Sequence, residues 1–221
     1  MYFNSEIVLI FVFCAERAAT PNIVPLFLYY YYIVYKPFGV LSQFTTSVAG
    51  KIGLGSLFDF PKDVYPVGRL DEDSEGLLFL TNDPRQNAHW LGQGVEKCYW
   101  VQVEGRPTLH DLGPLTQGIS ISIKGQKHQC LPVGVELFHE APLLPARNPP
   151  VRFRLSVPDT WLKLRLREGK NRQVRRMTAA LGFPTLRLVR WSFGPFTLAG
   201  MEPGEVRALS SDVLRSSNFL I

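Results

Sequence analysis

From Leu162 to Arg167 the sequence alternates without a break, with leucine at 162, 164 and 166 and a cation at 163, 165 and 167. On an extended chain successive side chains point to opposite faces, so this stretch is a strand that buries its leucines and presents a row of positive charge. The same period recurs from Lys97 to Glu104, with Tyr99, Val101 and Val103 on one face, and again at Ile119, Ile121 and Ile123. Apolar runs at Leu77 to Leu80 and Val133 to Phe138, and pieces at Arg187 to Trp191 and Thr197 to Leu198, read as further strands. Helical spacing is scarcer. After a turn at Glu168 to Asn171, Val174, Met177 and Leu181 recur at i, i+3 and i+7, and Gly182 with Pro184 stops them. Helices are also expected around Gln86 to Leu91 and from Thr108 to Gly118. Strands outnumber helices, which predicts an α+β fold built on a mostly antiparallel mixed sheet with flanking helices.

The 221 residues suffice for one substantial domain, or for two small subdomains around a shared core. Residues 141–150, with four prolines, mark the candidate junction. Charge is unevenly spread. Residues 151–190 hold 11 Lys or Arg against Asp159 and Glu168, a balance of +9, while the whole chain carries only +5, leaving −4 elsewhere. Clustered cations gain free energy by displacing phosphate counterions, so the basic half is a candidate polyanion-binding surface, set against the plain alternative of a solvated charged face.

Cysteines at 14, 98 and 130 form no close pair and indicate neither a disulfide framework nor a zinc ribbon, which fits a reducing, cytoplasmic setting. The histidines at 89, 110, 128 and 139 fall at no helical spacing that would place two beside a Cys or carboxylate, and no metal is assigned. Residues 1–30 form an apolar extension of uncertain status. Its runs at Ile7 to Cys14 and Ile23 to Tyr35 each fall short of the ~20 apolar residues that a spanning helix needs. No membrane partner is expected. The first strand begins near Tyr32, a catalytic domain is expected over 31–210, and 211–221 is expected as a C-terminal tail.

The sharpest local signal is Gly68 to Asn82, a charged loop containing Arg69, Asp71, Glu72, Asp73 and Glu75 that runs directly into the apolar strand at Leu77. Loops anchored to rigid strands are where catalytic groups are displayed, although a single loop Asp is by default a turn or capping residue. Context raises Asp71. The stretch Gly68 to Asn82 resembles the signature around the catalytic aspartate of the RsuA-type pseudouridine synthases. Lys97-Cys98-Tyr99 resembles that family's second element, and Glu168 to Met177, followed by Gly182-Phe183-Pro184 and Leu186 to Arg190, resembles its third. The similarity runs from about Val34 to Arg207. Within the family, Arg147-Asn148-Pro149-Pro150 followed by Trp161-Leu162 is most similar to the E-type branch acting on large-subunit rRNA. Those enzymes lack an S4 domain, and the roughly thirty residues ahead of the first strand are too few for one.

The resemblance implies the pseudouridine synthase fold, with two subdomains around a central active-site cleft, a monomer, and isomerisation of a uridine in ribosomal RNA, 23S in particular, without a cofactor. It implies that Asp71 is essential, either as a nucleophile at C1′ or as a base on the ribose 2′ proton. Arg175 is implied as the cation that keeps this carboxylate ionised and oriented. Tyr99 is implied to pack on the uracil, against the plainer role of a core-facing strand aromatic. Arg69 is similar to the residue that fills the gap left by a flipped nucleotide. Flipping is required because a glycosidic bond inside a stacked helix is out of reach of a side chain. Phosphate contacts are expected from Lys163, Arg165, Arg167, Lys170, Asn171, Arg172 and Arg176.

Three other readings compete. A helix-turn-helix drawn over Asn171 to Arg190 would make a non-catalytic nucleic-acid-binding module, but Pro184 to Trp191 alternates as a strand does. The apolar first 35 residues raise a membrane-attached protein. Paired carboxylates at Asp71 and Asp73 raise a glycosidase, for which the arginine-rich half has no use.

Overall fold

The computed structural model describes residues 29–92, 94–152, 157–217 and Phe219. The expected extension over residues 1–30 lies outside them except for Tyr29 and Tyr30, as does Cys14. In chain order the strands are β1 (Tyr31–Lys36), β2 (Val40–Leu41), β3 (Ile52–Gly53), β4 (Tyr65–Val67), β5 (Glu75–Thr81), β6 (Lys97–Glu104), β7 (Ser120–Ile123), β8 (Gln126–Gln129), β9 (Gly134–Leu137), β10 (Asp159–Leu166), β11 (Thr185–Phe193), β12 (Phe196–Thr197) and β13 (Val206–Ala208). The helices are α1 (Pro84–Gly92), α2 (Gly113–Gln117), α3 (Gln173–Ala180) and α4 (Ser211–Ser216).

Among the described residues, nine strands form one mixed sheet with the path β13-β1-β5-β11-β6-β10-β9, to which β12 and β4 attach beside β11 and β5. Its pairs are antiparallel except for β5 with β11. That parallel contact joins the half containing β1 and β5 to the half containing β6, β10 and β9. It is close. A Cβ on Gly76 of β5 would lie 2.4 Å from both N and O of Arg190 of β11, so only glycine permits the approach.

The alternation seen in the sequence is the burial pattern of β6 and β10. Val101 and Val103 are sealed against Leu162, Leu164 and Leu166, with Val174 and Met177 of α3 closing the layer. In the other half every residue of β5 is buried, Leu77 and Phe79 beneath Trp90 of α1, and Leu78 and Leu80 against Tyr32, Val34 and Leu54. A strand covered on both faces shows no alternation, which is why residues 77–80 are an unbroken apolar run.

Three elements differ from the sequence expectation. The helix over 108–118 shrinks to Gly113–Gln117 because Thr108 and Asp111 hydrogen-bond each other in a separate turn, and Pro114 opens the helix proper. Strand β8 carries no apolar pattern. It exists because Lys124 and Gly125, both at positive φ, make the two-residue turn that folds it back on β7. The segment 211–221, expected as a tail, contributes α4, and Phe219 stacks on Trp90 at 4.4 Å while its carbonyl accepts the Trp90 indole N–H at 2.9 Å. Residues 141–150 link β9 to β10, neighbours in one half. They are pinned to the other half through Leu144, and to β11 through the Pro145 carbonyl, which accepts from Arg187 at 2.9 Å. Arg187 also makes a buried two-pronged pair with Glu75, both bonds 2.8 Å, that ties β11 to β5.

Candidate active site

The loop before β5 is held from below by the chain after β1. Ser42 Oγ accepts from the Leu70 amide at 3.0 Å and donates to the Leu70 carbonyl at 2.7 Å, while the Gly39 amide donates to the Glu72 carbonyl at 2.9 Å. The Ser74 amide closes a turn onto the Asp71 carbonyl at 3.0 Å. Beneath this turn lies Lys36, fully buried, with its ammonium donating to the carbonyls of Pro37 and Val40 at 2.9 and 2.6 Å. Burial pulls its pKa down to about 8 even though Glu75, Asp73, Asp71 and Glu72 act in the opposite direction. Asp71 is thereby fixed at the lip of a cavity by backbone contacts that owe nothing to its own side chain.

The cavity measures about 600 Å³ and opens where the two halves of the sheet meet. Asp71, Arg69 and Arg172 line it together with Tyr99, Lys97 and Arg190. Tyr99 is 9% exposed, one side in the core and the other on the cavity. Lys97 donates to the Val95 carbonyl at 2.9 Å, and burial, reinforced by the charge of Arg190, lowers its pKa to about 8. Arg190 donates through Nε to the Leu77 carbonyl at 2.7 Å, and its Nη2 is buried without a hydrogen-bond partner among the described residues. Such an orphaned donor costs free energy until something accepts from it.

Arg172, which caps α3, and Arg175 within it divide the two aspartates differently from the expectation. Arg172 forks onto Asp73 with bonds of 2.8 and 2.7 Å, and its Nη1 stands 3.8 Å from Asp71 Oδ2. Arg175 takes the Asp73 carbonyl at 2.6 Å and lies 3.4 Å from the Asp73 carboxylate through Nε. The cation nearest Asp71 is therefore Arg172, and Arg175, expected there, grips the neighbouring aspartate from behind the cavity wall. Burial acts to raise the Asp73 pKa, but the hydrogen bonds from Arg172 and the charges of Arg175 and Arg172 outweigh it and hold the carboxyl below the usual range. Asp73 is thus a fixed anion that positions the arginines, and Asp71 is left with its carboxylate facing the cavity. Arg172 achieves this reach from a left-handed backbone, φ 51°, at the start of α3.

A carboxylate at the lip, an aromatic in the wall and buried donors in the floor suit a flat, polar ring carried on a flipped nucleotide. The sequence profile described as RNA pseudouridylate synthase matches residues 30–180. The chain belongs to this family. It is 49% identical to the ribosomal large subunit pseudouridine synthase E of Vibrio vulnificus over 79% of its length and 73% of that protein. It is 45% identical to the protein of the same name from Xanthomonas campestris, over 81% of this chain and 95% of that one. Among solved structures, a pseudouridylate synthase crystal structure superposes with a TM-score of 0.67 at 25% identity, covering 86% of this chain and 74% of its own. The family, read from three short motifs, and its E-type branch, read from Arg147 to Pro150 with Trp161-Leu162, are those the sequence resembled.

The remaining expected contacts separate by position. Arg69, Lys170 and Asn171 line the cavity, and Arg69 is exposed with no hydrogen bond or ion pair among the described residues. Arg176 is turned away, with its guanidinium on the Ser122 carbonyl at 2.7 Å and on Asn171. Lys163 and Arg165 pair in register with Trp100 and Cys98, which puts them on the face opposite Tyr99, where both bond Glu136. Arg167, just past the strand, is 3.7 Å from Glu96. Sequence reading passed over Ser42, Lys36 and Arg190. Ser42 serves the site through the backbone of Leu70, 28 positions on, and Lys36 through the carbonyls of Pro37 and Val40 beneath the loop, and no local pattern announces either role.

Proposed function

We propose that this chain converts a specific uridine of ribosomal RNA, in the 23S molecule of the large subunit, to pseudouridine, and that Asp71 is the indispensable carboxylate. The observation that carries the reading is Asp71 at the lip of the cavity, 3.8 Å from Arg172 and sharing that cavity with Tyr99, in a chain that spans most of its E-type relatives. The reaction breaks the N1 to C1′ bond, rotates the freed uracil, joins C5 to C1′ and removes the C5 proton. It needs no redox step. Asp71 attacks C1′ or takes the ribose 2′ proton, Arg172 stands beside it as its nearest cation, and Tyr99 offers its ring to the uracil. Arg175 acts through Asp73. Arg69 occupies the gap left by the flipped base, and Lys170, Asn171 and Arg172 meet the flanking phosphates. Lys163, Arg165, Arg167 and Arg176 contribute at longer range to a field that draws in the RNA.

The chain acts as a monomer in the cytoplasm. No helix among the described residues is long and apolar enough to cross a membrane. The test is release of tritium from 23S and 16S transcripts labelled at uridine C5. The reading requires release from 23S RNA alone and its loss in Asp71→Asn. Absence of release from 23S RNA and from pre-ribosomal particles alike, with salt-sensitive binding intact, would reduce the protein to a binding module.

A further inference from the structure

Beside the cavity the fold assembles a side-chain group that the isomerisation does not use. His128 lies in β8 and Cys130 just beyond it, where the Cys130 amide continues the ladder by donating to the Ile119 carbonyl at 3.0 Å. Two residues apart on an extended chain, they point to the same side. Glu168, two residues past the end of β10, faces them, and one ligand atom from each of the three lies within 4.8 Å of the others. The histidine spacing that appeared uninformative as a helical pattern is a strand pattern completed by a residue 38 positions on from Cys130.

The carboxylate is already oriented. Glu168 Oε1 accepts from the Leu131 amide at 2.8 Å and from Gln173 Nε2, leaving Oε2 for His128 Nε2 at 3.5 Å. That Nε2 is enclosed and has no hydrogen-bond partner among the described residues. Cys130 is 2% exposed. Two ligands each ~2.0–2.1 Å from a tetrahedral zinc stand ~3.3 Å apart, close to the separation of the His128 and Glu168 atoms. The thiol must approach by on the order of 1 Å to complete the third edge, using the zinc–sulfur length of ~2.3 Å.

We propose that His128, Cys130 and Glu168 form a binding site for a divalent metal ion of the zinc class, with water in the fourth position. An imidazole, thiolate and carboxylate together suit zinc, whereas magnesium and calcium favour oxygen alone. On binding, Cys130 loses its proton to solvent as the metal–sulfur bond forms, and no electron is transferred. The ion joins the β7–β8 hairpin to the Glu168–Arg172 turn. Arg176 already ties α3 to that hairpin through the Ser122 carbonyl, so the metal stiffens the wall from which Arg172 reaches the aspartates.

The site is tested on the full chain after chelator treatment, with cobalt(II) as an optical probe and zinc as competitor. One equivalent of cobalt should give a thiolate-to-metal charge-transfer band that zinc abolishes. That band should vanish in Cys130→Ser, and zinc affinity should fall at least about tenfold in His128→Ala, whose partly exposed side chain can be cut without opening the core. Zinc should raise the Tm of the parent chain and not of His128→Ala. Absence of a thiolate band, its persistence in Cys130→Ser, or an unchanged zinc affinity in His128→Ala would overturn the site. None of these readouts involves RNA, so the isomerase reading stands or falls separately.

Discussion

On one face of β6 and β10, Lys163 and Arg165 share Glu136 near the surface, in pairs at least a third exposed. On the other face, Lys97 and Arg190 are buried in the floor of a cavity with no carboxylate bonded to either among the described residues, and Arg172 grips Asp73 at its rim. Both sets of cations belong to the same basic region or its immediate sheet partners, yet their consequences differ. Exposed pairs are worth roughly 0–1 kcal/mol and are screened by salt. Cations held out of water carry a desolvation cost that a ligand can offset, so charge count alone does not identify the working face.

The sharpest way to break this contrast is to remove the anion of the working face. Asp71→Asn should lower uridine C5 tritium release below about one thousandth while leaving near-ultraviolet circular dichroism unchanged, because the loop is held by Ser42 and Gly39 and not by the Asp71 side chain. Arg172→Ala should come next, with a loss of about 100-fold in kcat, since Asp71 loses its nearest cation and Asp73 its two-pronged partner. A smaller loss than that of Arg175→Ala would show that the arginine expected from the motif, and not the one nearest in space, controls Asp71.

A third effect separates the faces by pH. Lys36 and Lys97 have pKa values pulled from 10.5 to about 8 on folding, so between these values the unfolded chain binds more protons and stability rises with pH. The cost of burying the charged lysines is present below pH 8 and relieved above it. Tyr31 and Tyr35, raised from 10.0 to about 12, reverse the slope above pH 10, because there the folded state holds the extra protons. The urea midpoint should therefore rise from pH 8 to 10 and fall beyond it, and Lys97→Met should flatten part of the rise. The smallest effect belongs to the opposite face. Changing Lys163 and Arg165 together to Gln should alter RNA affinity by less than about twofold, whereas Arg69→Gln with Lys170→Gln should reduce the salt dependence of binding by about one unit of slope per cation.

Much of the fold was legible because it rests on period. The alternation of β6 and β10 and the unbroken run of β5 are direct imprints of one-sided and two-sided burial, and Gly182, at φ 84°, ends α3 where the sequence placed its stop. Strand β8 was not legible, since a polar strand on a two-residue turn leaves no apolar trace. In the site, Asp71 and Tyr99 were marked by their motifs, but motif spacing is one-dimensional. The distances that sorted Arg172 from Arg175, and Asp71 from Asp73, arise between residues about a hundred positions apart.

By itself, then, the sequence determined the strands that bury apolar residues in period, which loop carries the carboxylate and which half carries the charge, because each of these is written in the identity and local order of side chains. Only the tertiary structure decided which cations meet the cavity, which aspartate is neutralised by arginine, and that one ligand atom each of His128, Cys130 and Glu168 lies within 4.8 Å of the others. The physical reason is that electrostatic and coordination chemistry depend on distances of a few ångströms between chain-distant groups, and those distances are set by sheet register and by the buried contacts that lock it.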